Sequence, residues 1–97
     1  MKRPKQSQLP NSKKTLGELT LLELQNYYNK ELFVEARELL EYGSYLKGKS
    51  EVAEKNKDID TFTEIGKEFD YLNKRMDIVS KQMIGVRKLL AWFGHVI

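Results

Sequence analysis

From Phe62 onward the chain repeats in sevens. One register reads Phe62, Phe69, Met76, Met83, Leu90 and Ile97, and three residues further on a second reads Ile65, Leu72, Val79, Val86 and Phe93. Every a and d position is therefore apolar over five heptads. The outermost f positions are Lys67, Lys74, Lys81, Lys88 and His95. Such a repeat keeps one edge of a helix against another helix and turns the lysine column to water. It demands helical partner surface, so it fixes an all-α fold class before the rest of the chain is considered.

The rest of the chain supplies one partner. Thr15 with Glu18, and Thr20 with Glu23, both fit the capping box in which a hydroxyl and a carboxylate satisfy each other's free N–H groups. Thr20 is the better start, because Gly17 weakens the earlier one. At 100° per residue Leu21, Leu24, Tyr28, Leu32, Ala36, Leu39, Tyr42 and Leu46 share a face, with Leu22, Phe33 and Leu40 to one side and Tyr27 and Tyr45 to the other. Helix one is expected over about 20–46, the alternative being a helix that tolerates Gly43 and Gly48 and continues to about Lys55. A polar connection follows over 47–60, weakened at Gly48, and helix two spans about 61–94 behind a cap at Asp58, Asp60 or Thr61.

A short link makes long helices antiparallel neighbours. The charges agree: Glu18, Glu23, Glu31, Glu35, Glu38 and Glu41 on helix one would lie beside Lys81, Arg87 and Lys88 on helix two. The predicted architecture is an antiparallel helical hairpin with a coiled-coil-like heptad seam. Two helices alone leave Phe33, Val34, Leu40, Tyr71, Ile78, Ile84, Leu89 and Trp92 without cover. Dimerisation of two hairpins into a four-helix bundle is the expected solution. The alternatives are a three-helix monomer with residues 50–57 packed back, or a different protein over the same face.

Charge separates the two ends of the chain. Residues 1–14 hold Lys2, Arg3, Lys5, Lys13 and Lys14, both prolines and no acid, whereas the remainder carries 12 basic and 14 acidic residues. Residues 1–14 read as a flexible basic arm ahead of a single helical domain over 15–97.

The catalytic classes are poorly served. There is no cysteine, and the one histidine is His95, so neither a zinc site nor a Ser–His–acid set can be assembled. No phosphate-binding loop or dinucleotide fingerprint is present. Cofactors and metals are not expected. Nor is a signal peptide or a membrane span, because no apolar run approaches the necessary length. A cytoplasmic setting in the producing or host cell is the expectation. Glu35 in helix one's stripe, and Asn73, Ser80 and Arg87 in one column of helix two, read as core polar residues that set register. An enzyme reading would need Glu35 and Arg87 to form a ligand pocket, with Arg75 as the one further cation.

Two functions remain. The first is a non-catalytic protein-binding module (adaptor, assembly factor or inhibitor) acting through Tyr27, Phe33, Tyr45, Tyr71, Ile78 and Trp92. Small helical proteins rich in lysine and glutamate are frequent in phages and mobile elements, and the composition has that style. The second is a nucleic-acid-binding hairpin using Lys2, Arg3, Lys5, Lys13 and Lys14 with Lys67, Lys74, Lys81 and Lys88. Those last four stand about 10.5 Å apart along a helix, a spacing that suits a phosphate backbone.

Overall fold

The computed structural model describes residues 2–96; Met1, Ile97 and the side chains of His95 and Val96 lie outside the described residues. The last a and f positions of the repeat, Ile97 and His95, therefore receive no structural account. The described residues are all helical apart from the N-terminal segment and short links. After a 3₁₀ turn at Leu16–Glu18 come α1 (Leu21–Asn26), a π turn (Tyr27–Leu32), α2 (Phe33–Lys55) and α3 (Ile59–Val96). The molecule is a rod measuring 59 × 24 × 16 Å.

Thr20 opens α1 as its sequence signature requires. Its hydroxyl accepts from the Glu23 amide at 3.2 Å, and Glu23 accepts from the Thr20 amide at 3.0 Å. The earlier pair acts too, with Glu18 accepting from the Thr15 hydroxyl at 2.8 Å ahead of the 3₁₀ turn.

From Leu21 to Lys55 helix one never breaks. Of the two ends weighed, Lys55 holds and Leu46 does not: the helix passes Gly43 and Gly48 and buries Ala53 near its end. A glycine costs a helix about 1 kcal/mol, which the buried Leu46 and Ala53 on either side of Gly48 outweigh. The connection shrinks to Asn56–Asp58, and the third-helix alternative disappears because residues 50–55 belong to α2. The turn is a Schellman motif: Asp58 N–H donates to the Ala53 carbonyl at 2.8 Å and Lys57 N–H to the Glu54 carbonyl at 3.2 Å. Lys57 takes the left-handed position, φ 55°, usually given to glycine. Asp58 then caps α3, accepting from the Thr61 amide at 3.2 Å and the Thr61 hydroxyl at 2.7 Å.

The two long helices lie side by side in opposite senses. Side-chain bonds join Tyr28 to Arg87, Glu35 to Arg75 and Tyr42 to Glu68, the second number falling as the first rises. The core consists of Leu24, Tyr27, Leu32, Leu39, Tyr42, Leu46 and Ala53 against Ile65, Leu72, Val79 and Val86. That second set is the d column in full, apart from Phe93, which is half-buried. The a column is different. Phe69, Met76, Met83 and Leu90 are only partly covered, and Phe62 remains 49% exposed.

The π turn corrects the register of helix one. Its wide turn closes with Phe33 N–H donating to the Tyr28 carbonyl. One extra residue rotates everything before it by roughly 100° relative to an unbroken α-helix. Uniform periodicity puts Tyr28 on the stripe and Tyr27 beside it. With the extra residue Tyr27 enters the core at 4% exposure, and Tyr28 stays half-buried at the edge.

Candidate interaction surface

The groove between α2 and α3 has two sides, and the chain treats them differently. One side is closed by the N-terminal segment, which is bonded to both long helices and is not the flexible arm its composition implies. Residues 3–16 run alongside α3 in the same direction. Arg3 donates from Nε and Nη2 to the Glu68 carboxylate at 2.9 and 2.8 Å and lies 3.9 Å over the Tyr71 ring. Gln6 donates to the Tyr71 hydroxyl at 3.1 Å. The Ser7 amide donates to Glu35 at 2.7 Å. Further on, Leu9 and Leu16 pack against the core, and Leu16 sits so close over Gly85 that a Cβ there would come within 3.1 Å of its methyl. A turn at Asn11–Lys14 and an ion pair from Lys14 to Glu23 at 3.3 Å then lead into helix one.

Two polar clusters fasten this strap. In the first, Glu35 is 2% exposed and receives Arg75 through both Nε and Nη2, the latter at 2.9 Å, together with the Ser7 amide. Burial pushes the Glu35 carboxyl up, but the donors from Arg75 and Ser7 outweigh it and hold the carboxyl below its ordinary value. The same pairing raises Arg75. In the second, Glu68 accepts from Arg3 and from the Tyr42 hydroxyl, the latter at 2.6 Å. Those bonds, Arg3 first, bring Glu68 down to about 2. Burial, and then donation to Glu68, push Tyr42 up to about 12. Every charged group in both clusters is occupied by a neighbour, and no buried polar side-chain atom among the described residues lacks a partner.

The other side of the groove is bare. Along it α2 presents Phe33 at 53% exposure and Leu40 at 65%, and α3 presents Phe62, the half-covered Phe69, Met76 and Met83, and Ile84 at 50%. A depression of about 410 Å³ lies at its middle, shared by Leu40, Gly43, Ser44 and Lys47 from α2 and Phe69, Asn73 and Met76 from α3. By helical period Gly66, Asn73 and Ser80 follow its α3 edge, with Arg87 next in the column, so that another helix could approach closely along the middle of the groove.

The residues singled out from sequence distribute unevenly over these surfaces. Of the partner-binding set, Tyr27 is core rather than surface. Tyr71 is half-buried beneath Arg3 and Gln6 on the strap side, and Tyr45 is half-exposed, stacked 6.3 Å from Tyr42. Phe33, Ile78 and Trp92 are exposed, but only Phe33 borders the bare side; Ile78 and Trp92 lie on the strap-facing flank of α3, with Trp92 edge-on to Phe93 at 5.4 Å. Of the polar set, only Glu35 is in the core. Asn73, Ser80 and Arg87 are exposed, because helix one packs on the d side of α3 and leaves their column outside. Arg87 meets Tyr28, donating to its hydroxyl at 2.7 Å, and not Glu35. The partner of Glu35 is Arg75, at the g position on the strap side, where a glance along α3 from Glu68 by one heptad finds it. Of the basic set, Arg3 and Lys14 are bonded to Glu68 and Glu23, and Lys81 to Asp77 at 2.9 Å. Lys2, Lys5, Lys13, Lys67, Lys74 and Lys88 are exposed.

Among the described residues no three His, Cys, Asp or Glu side chains converge as metal ligands, and no helix is long and apolar enough to cross a membrane. Compared with protein-family models, curated proteins and solved structures, the chain finds no match in any of the three.

Proposed function

We propose that the chain is a non-catalytic protein-binding module, a helical hairpin that acts through its bare groove side as an adaptor, assembly factor or inhibitor. The observation that carries the reading is the asymmetry of the groove. The chain uses its own N-terminal segment to cover one side and leaves Phe33, Leu40, Phe62 and Ile84 about half or more exposed on the other. Contiguous apolar surface on a small protein marks a site of association. The functional surface is thereby shifted from Tyr27 and Tyr71, which the fold uses internally, to the row from Phe33 to Met76.

The nucleic-acid reading rests on the exposed f-column lysines, and less on the arm, since Arg3 and Lys14 are held by carboxylates. Asp70 and Asp77 interrupt the positive charge on the adjoining face.

Affinity capture with the whole chain as bait, with and without nuclease, tests the choice. Retention of a helical protein (an untagged copy of the chain included) should survive nuclease and be lost with Leu40→Asp, while far-ultraviolet circular dichroism shows unchanged helix. Binding that nuclease abolishes, together with filter retention of nucleic acid at low salt, would overturn the module reading.

A further inference from the structure

We infer that the surface covering the bare side is the same side of a second copy of this chain. The inference rests on the reading of that side as a binding surface and adds the identity of its occupant from charge. Midway along the rod the two rims of the bare side carry opposite signs, although Glu51 and Glu54 continue the α2 rim and Arg87 the α3 rim toward the ends. Arg37 and Lys47 stand on the α2 rim, Asp70 and Asp77 on the α3 rim, and all four are exposed. Among the described residues Arg37, Lys47 and Asp70 have no ion-pair partner, and Asp77 has only Lys81 on its own helix.

A twofold axis parallel to the helices and midway between α2 and α3 turns this polarity into a match. It lays α2 of one copy on α3 of the other and leaves every residue at its own height along the rod. The heights are known, because Leu40, Gly43, Ser44 and Lys47 share one depression with Phe69, Asn73 and Met76. Leu40 then meets Met76 of the second copy, Ser44 meets Asn73, and Lys47 comes beside Asp70. One turn further on, Arg37 faces Asp77 and Phe33 faces the stretch from Ser80 to Ile84. Each contact occurs twice, as an isologous interface requires. The arrangement also gives Asn73 and Ser80 a position within a packed seam, where a polar side chain selects one register over its neighbours. A foreign partner would need no such match between the two rims of one chain.

Light scattering on the full chain, with a pair of charge-reversed variants, tests this. The wild type should have twice the mass of one chain at micromolar concentration. Arg37→Asp with Lys47→Asp sets acid against Asp77 and Asp70, and Asp70→Lys with Asp77→Lys sets base against Lys47 and Arg37. Like charges brought together at an interface oppose association strongly, so each double variant alone should dissociate with a constant raised on the order of a hundredfold. Mixed in equal amounts, the two variants should regain the dimer, since every rim contact is again of opposite sign. All four positions are exposed, and unchanged circular dichroism verifies the fold. A monomeric wild type, or variants whose mixture associates no better than either alone, overturns the second copy. If the wild type is monomeric while Leu40→Asp still abolishes capture of a different protein, the binding-surface reading survives without the dimer. A dimer indifferent to Leu40→Asp as well as to both charge reversals uses another surface, and overturns both.

Discussion

Replacing Glu35 by alanine should be the most damaging single polar change in the molecule. The Glu35 side chain is 1% exposed and that of Arg75 14%, so removing the carboxylate leaves a guanidinium largely out of water with no anion. Stranding one member of a buried pair costs about 3–5 kcal/mol. Arg75 keeps some access to solvent, which places the loss near the lower end, at roughly 3 kcal/mol. The Ser7 amide also loses its acceptor, for about 1 kcal/mol more. A domain of this length holds roughly 5–15 kcal/mol in all, so the variant should still fold but melt roughly 15–30 °C lower. Circular dichroism melts and urea titrations at one fixed chain concentration measure this, the concentration being held because association adds to stability. The companion variant Glu35→Leu with Arg75→Met removes both charges and keeps bulk, and should recover much of the loss. A cost below about 1 kcal/mol for Glu35→Ala, or a double variant no more stable than either single change, would refute the assignment of this pair as the fastening of the strap.

Lys57→Gly should stabilise the turn by about 0.5–1 kcal/mol, because a left-handed residue with a Cβ costs about 1–2 kcal/mol and glycine returns part of that through unfolded-chain entropy; no gain in urea midpoint would contradict the Schellman geometry. Gly48→Ala should add about 1 kcal/mol, since no atom lies within 4 Å of the added Cβ and the position is helical; a loss would mean the helix is broken there. The strap should respond to acid. Glu68 has a folded pKa of about 2 against an ordinary 4.5, so its contribution is complete above the higher value and disappears as pH falls from 4.5 toward 2. Stability measured by urea midpoint should fall across that window, and Glu68→Gln should flatten the dependence; an unchanged profile in the variant would exclude Glu68 as the acid-sensitive group.

The heptad pattern carried the second helix almost whole, because apolar residues at strict spacing leave a helix only one edge to bury. Its d column is core from Ile65 to Val86. The cap at Thr20 was equally legible, since it is a local bond between residues three apart, and Asp58 was one of three neighbouring candidates for the other. Three features were not legible. The π turn has no local signature: its extra residue is stabilised by the burial of Tyr27, a tertiary effect. The strap depends on Arg3 and Ser7 finding Glu68, Glu35 and Arg75 across more than twenty residues of sequence, and composition alone classes such a segment as mobile. Lys57 occupies a position whose usual residue is glycine, so the short turn looked like a longer polar connection. The site suffered most from the first two. Tyr27 and Tyr71 were aromatic surplus in a bare hairpin, and become internal once the register shifts and the strap is laid down.

The wide turn at Tyr27–Leu32 makes chain length, and not only chain chemistry, a determinant of this molecule. A conservative replacement inside it leaves the first helical turns aimed as they are. Excising a single residue such as Asn29 would let the ladder close as a plain α-helix with everything upstream at its present phase, whereas inserting one there would swing everything upstream through about one residue's rotation, taking Tyr27 out of the core and pulling the strap's anchorage out of alignment. For a rod built on side-chain phase, one residue added there would disturb more than many substitutions elsewhere, while one removed would cost little more than the turn itself.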